Sequence, residues 1–69
     1  MFHTYPFFYF ENILQYFFHK YIYLGTGDNH DIVFANINSS QYILIYNNNN
    51  TITIHGDANI LKQLKQYLL

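Results

Sequence analysis

The run DIVFANINSSQYILIYNNNNTITIH, residues 31 to 55, decides the fold class. It is rich in β-branched and aromatic residues and is cut by two polar clusters, Asn38-Ser39-Ser40 and Asn47 to Asn50. Such punctuation predicts three strands, Asp31 to Ile37, Gln41 to Tyr46 and Thr51 to His55, joined by tight turns. In the last of these, strict alternation places Ile52 and Ile54 on one face and Thr51, Thr53 and His55 on the other. The first two strands behave differently. Ile32 and Phe34 oppose Val33, Ala35 and Ile37, and Ile43 and Ile45 oppose Tyr42, Leu44 and Tyr46, so both faces of this hairpin are apolar. An antiparallel sheet with one wet face alternates apolar with polar. Either a helix must therefore cover each side, or one side meets another subunit.

On the C-terminal side, Gly56 breaks the strand and Asp57 is a good helix N-cap. Ile60, Leu61, Leu64 and Leu68 then repeat with helical spacing opposite Lys62, Gln63, Lys65 and Gln66. This predicts a helix packed on the sheet.

On the N-terminal side, apolar residues recur at Phe7, Phe10, Ile13, Leu14, Phe17, Phe18, Tyr21 and Leu24, with Asn12, Gln15, Tyr16, His19 and Tyr23 between them. The pattern predicts an amphipathic helix from Tyr5 to Leu24, capped by Thr4, tolerant of Pro6 in its first turn and stopped at Gly25. Glu11, Asn12, Gln15, His19 and Lys20 argue against a membrane span, because charged groups at a bilayer centre cost about 2.5 to 3.5 kcal/mol each. The segment also lacks the basic start and small-residue cleavage site of a signal peptide. With only Lys20 on its polar face, it has little to hold it to a membrane surface. The expected architecture is a single α+β domain over residues 1 to 69, in the order α-β-β-β-α.

Composition narrows the functional classes. The chain has 69 residues, three lysines, no arginine, four acids and a net charge of −1. That is too few cations for a basic track along nucleic acid. There is no cysteine, so a disulfide-framed secreted scaffold is excluded. Phe, Tyr, Met, Ile, Asn and Lys, whose codons are AT-rich, fill 37 of the 69 positions, which suggests an AT-rich genome. The expected location is a soluble one, in a cytoplasm or an organelle interior.

Candidate chemistry is sparse. His30 and Asp31 before the first strand, with His55 and Asp57 after the third, form the one set of side chains suited to a metal ion or acid–base work. They would converge only if the first and third strands were neighbours, which a simple meander forbids. Gly25-Thr26-Gly27-Asp28 has the glycines of a phosphate cradle but no following lysine, and its acids repel phosphate. Ser39 and Ser40 sit in a turn without a base nearby. Tyr42 and Tyr46 could stack on bases, as in single-stranded nucleic-acid binders, but lack accompanying cations.

The aromatic excess, seven Phe and eight Tyr, points elsewhere. Large rigid rings are enriched at the centres of protein interfaces. The expectation is a non-catalytic accessory or regulatory subunit, without a cofactor, that binds itself or a larger protein assembly. Phe7, Phe10, Phe17, Phe18, Tyr21, Tyr42 and Tyr46 are the expected contact residues. Its rivals are a metal-assisted hydrolase built on the His30, Asp31, His55 and Asp57 set, and a single-stranded nucleic-acid-binding module.

Overall fold

The computed structural model describes all 69 residues. The sheet has five strands, where the sequence reading expected three. The chain runs β1 (Phe2–Pro6), a 3-10 turn (Phe7–Tyr9), α1 (Phe10–Lys20), β2 (Ile22–Thr26), β3 (Ile32–Asn36), β4 (Gln41–Asn48), β5 (Thr51–His55) and α2 (Ala58–Leu68). Sheet order is β1-β5-β4-β3-β2, with every neighbouring pair antiparallel. After β1 the chain crosses beneath the whole sheet as α1 and emerges at the far edge as β2. From there a meander returns, strand by strand, until β5 lies against β1.

The expected helix from Tyr5 to Leu24 is thus corrected to an 11-residue helix flanked by two strands. Thr4 is not its cap. It sits in β1 opposite Thr53, with the two hydroxyls 3.3 Å apart. Pro6 is extended (φ −60°, ψ 149°) and closes β1. At the other end Tyr21 turns extended (φ −132°, ψ 169°) and its N–H bonds back to Phe17. Gly25 stops no helix; it occupies β2 at φ 106°, where the β2–β3 register slips between Tyr23 and Gly25. The physical reason is that Phe2 to Pro6 and Tyr21 to Thr26 are apolar or aromatic at nearly every position. Such runs satisfy a helical and a strand period equally, so pairing decides. As strands they supply the outer ladders of β5 and β3, which a three-stranded sheet would leave as bare edges.

The register assigns each strand residue to a face. Phe34, Ile43, Ile45, Ile52 and Ile54 share one face and join Ile13, Tyr16 and Phe17 of α1 with Ile60, Leu61 and Leu64 of α2 in a single core. Both helices therefore lie on the same side of the sheet. Tyr16, expected on the polar face of its helix, is 5% exposed, while Phe18, expected on the apolar face, is 55% exposed. The buried stripe of α1 is thus rotated towards Tyr16. Each fully buried Ile or Phe contributes about 1.5 to 3 kcal/mol.

Helix α2 follows the sequence reading closely. Asp57 accepts a hydrogen bond from the Ile60 N–H at 2.8 Å, which satisfies one of the unpaired donors of the first turn. The radius of gyration, 11.0 Å, matches the roughly 11 Å expected of a compact chain of this length. Neither helix is long and apolar enough to cross a membrane.

Candidate functional site: the uncovered sheet face

Because α1 and α2 share one side, the opposite side of the sheet is bare. From edge to edge it presents Phe2, Thr4 and Pro6 of β1, Thr51, Thr53 and His55 of β5, Leu44 and Tyr46 of β4, Val33 and Ala35 of β3, and Ile22 of β2. The surface has two halves. Towards β1 and β5 it is a threonine field. Towards β2 it is apolar, with Tyr42 and Ile22 cross-strand from Ala35, and Leu44 beside Val33. Tyr42 is 65% exposed and Ile22 45%. At the junction, His55 stacks on Phe2 at 5.3 Å and meets the edge of Tyr46 at 5.6 Å.

Not one residue of the five strands is Asp, Glu, Lys or Arg. The charges lie on the helices and in the loops, and all three lysines belong to α1 or α2. A phosphate-tracking surface needs cations beside its stacking rings. The Tyr42 and Tyr46 platform has none on its strands.

The expected contact residues fall into separate places. Tyr42 and Tyr46 lie on the bare face. Phe18 projects beside the β2 edge and packs edge-on against Phe34, with Tyr23 next to it. Phe7 stacks on Phe10 at 5.2 Å at the N-terminal end of α1. Tyr21 is half-buried, and Phe17 is fully buried at the centre of the core, out of reach of any partner. The residues that complete the bare face, Leu44, Val33, Ala35, Ile22 and Phe2, were not singled out as contacts. The alternation of β3 and β4 had already set Leu44, Val33 and Ala35 apart from the core-facing side chains.

The topology does not bring the four metal candidates together. His30 and Asp31 lead into β3, His55 ends β5, and β4 runs between them. Two inter-strand spacings amount to about 9.5 Å. No three His, Asp or Glu side chains anywhere come close enough to share an ion. Each of the four has a structural role or setting instead. Asp57 caps α2, and His55 packs between aromatic rings. His30 adopts φ 62° in a turn closed by its N–H to the Gly27 carbonyl at 3.1 Å. Asp31 is buried with its carboxylate against Gly27, where a side chain would collide with it. That carboxylate sits over the glycine an anion would have to approach.

The chain matches no family model, no curated protein and no solved structure.

On the covered side, two tyrosines feel their burial. Desolvation pushes the Tyr5 hydroxyl above its ordinary pKa of 10.0. Desolvation does the same to Tyr21, reinforced by Tyr16 and Asp57. The hydroxyls of Tyr5 and Tyr16 are buried without a hydrogen-bond partner in the protein. A shallow depression of about 360 Å³ lies along the outer edge of β1, lined by Phe2, His3, Thr4, Tyr5 and Lys65.

Proposed function

We propose that the protein is a non-catalytic accessory or regulatory subunit that works through protein–protein contact, either with itself or within a larger assembly, and that the bare sheet face is its contact surface. The observation that carries this reading is the band formed by Ile22, Val33, Ala35, Tyr42 and Leu44, which both helices leave uncovered. Depletion of charge with retention of Tyr and aliphatic side chains is the composition of an interface centre. The flanking threonine field supplies the polar surround that such centres have.

Mass action supplies the test. If a protein partner or a second copy covers this face, that partner stabilises the folded state in proportion to its concentration. Leu44→Asp places a charge in the middle of the band while leaving the core side of β4 intact. The expected result is loss of association by light scattering and affinity capture, with the folded far-UV circular dichroism spectrum retained. A folded monomer at every concentration, retaining no protein and indifferent to Leu44→Asp, overturns the reading.

A further inference from the structure

The two edges of the sheet are not alike. At the β2 edge, the register slip around Leu24 and the left-handed Gly25 spoil the regular spacing of backbone donors and acceptors. A bulge of this kind is a standard way to blunt an edge. At the β1 edge, Phe2 to Pro6 pairs with β5 in unbroken register.

The direction of each β1 peptide group follows from two hydrogen bonds. Gly56 N–H donates to the Met1 carbonyl at 3.2 Å, and Phe7 N–H donates to the Asn50 carbonyl at 2.9 Å. In an antiparallel ladder hydrogen-bonded and non-bonded pairs alternate. With the observed register, His3 and Tyr5 therefore bond inward to β5, and Phe2, Thr4 and Pro6 turn their backbone groups outward. The outward edge offers the N–H and C=O of Phe2, the N–H and C=O of Thr4, and the C=O of Pro6. Pro6 has no N–H and falls at an outward position, so it weakens nothing inside the sheet.

We infer that this edge pairs antiparallel with the same edge of a second copy, about a twofold axis through Thr4. In that register the two Thr4 residues exchange N–H···O=C bonds, and each Phe2 N–H donates to the Pro6 carbonyl of the other copy. Every outward donor of both strands is then used. The missing N–H of Pro6 leaves one acceptor free, the Phe2 carbonyl, and strands no donor. Charge agrees with this match. β1 has none of the lysines or other charges that keep natural edges apart, so the paired strands themselves carry no like-charge repulsion. Phe2 lies across from Pro6 on the bare side, and His3 lies across from Tyr5 on the helix side. The depression between β1 and Lys65 of α2 gives the incoming strand room. The product is a continuous ten-stranded sheet whose two bare faces lie side by side. This deepens the contact function proposed above and rests on it.

The absence of cysteine makes the test clean. A hydrogen-bonded antiparallel pair places its Cα atoms about 5.5 Å apart, within the roughly 4.4 to 6.8 Å that a disulfide spans. In separate variants, Thr4→Cys and Tyr42→Cys mark the edge and the bare face. The expected result is a particle of twice the 8.3 kDa chain mass by light scattering, with Thr4→Cys oxidising to a covalent dimer at least tenfold faster than Tyr42→Cys. Thr4→Pro, which removes an outward N–H together with the Thr4 hydroxyl's contact with Thr53, should weaken the dimer at least tenfold. A dimer that cross-links through Tyr42→Cys and not Thr4→Cys overturns the edge pairing and leaves the face-contact function standing. A folded monomer that cross-links through neither, and retains no partner, overturns both.

Discussion

The two faces of the sheet are made by alternate residues of the same strands, yet they have opposite fates. Along β4, Ile43 and Ile45 are at most 1% exposed, while Tyr42, one position away, is 65% exposed. Val33 and Phe34 differ in the same way, half-buried against fully buried. Hydropathy does not separate Val33 from Phe34, since both are apolar. What separates them is that one face received two helices and the other none. A half-exposed apolar face on a compact chain is a property of the topology, and it marks where contact with another molecule is worth most.

The largest expected effect sharpens that contrast directly. Phe17→Ala, on the covered side, should cost about 3 to 5 kcal/mol, set against a total of about 3 to 10 kcal/mol for a domain of this length. Urea titration should find it largely unfolded. Leu44→Ala on the bare side should cost the monomer only about 1 kcal/mol, since most of its neighbours on that face are absent. Equal losses at the two positions would break the comparison, because they would mean that the bare face is packed in the isolated chain.

Asp57→Ala tests the attachment of one of the two helices that create the difference. Removing the side chain that accepts from Ile60 should lower stability by about 1 kcal/mol, measured by thermal denaturation. Asp57→Asn should restore most of it.

The smallest effect is the pH response of the covered side. Tyr5 and Tyr21 have raised pKa values when folded, so the unfolded chain releases their protons first. Between the unfolded value near 10.0 and the higher folded values, the folded state binds more protons, and stability falls as pH rises. Below pH 10 the contribution is fully present. Thermal melts above pH 10 should show this decline, and Tyr21→Phe should reduce it. A decline unchanged in that variant would place the titrating groups elsewhere.

Much of the C-terminal half was legible in its residues. Thr51 to His55 has the stated bounds and faces, and α2 begins at its Asp57 cap, because strict alternation and a strong cap each admit one conformation. Strand β4 ran two residues further than its pattern, through Asn47 and Asn48, since backbone pairing with β5 needs no particular side chain. The N-terminal half misled for a definite reason. Phe7 before the true helix, and Tyr21 and Leu24 after it, fit its apolar stripe, so the pattern ran on past both ends. The bare face was foreshadowed by the double-sided hairpin, but its location was not, because that depended on where both helices packed.

Composition and periodicity alone determined that this is a small α+β protein, rich in aromatic residues, with a capped helix after its last strand. Those are local properties, set by residue spacing and side-chain chemistry. Only the tertiary structure decided that the sheet has five strands, that both helices share one side, and that β1 closes beside β5 with Phe2 and Thr4 facing outward. Those outcomes depend on pairing between residues as far apart as Thr4 and Thr53, where several arrangements satisfy the same local pattern and the shared core selects among them.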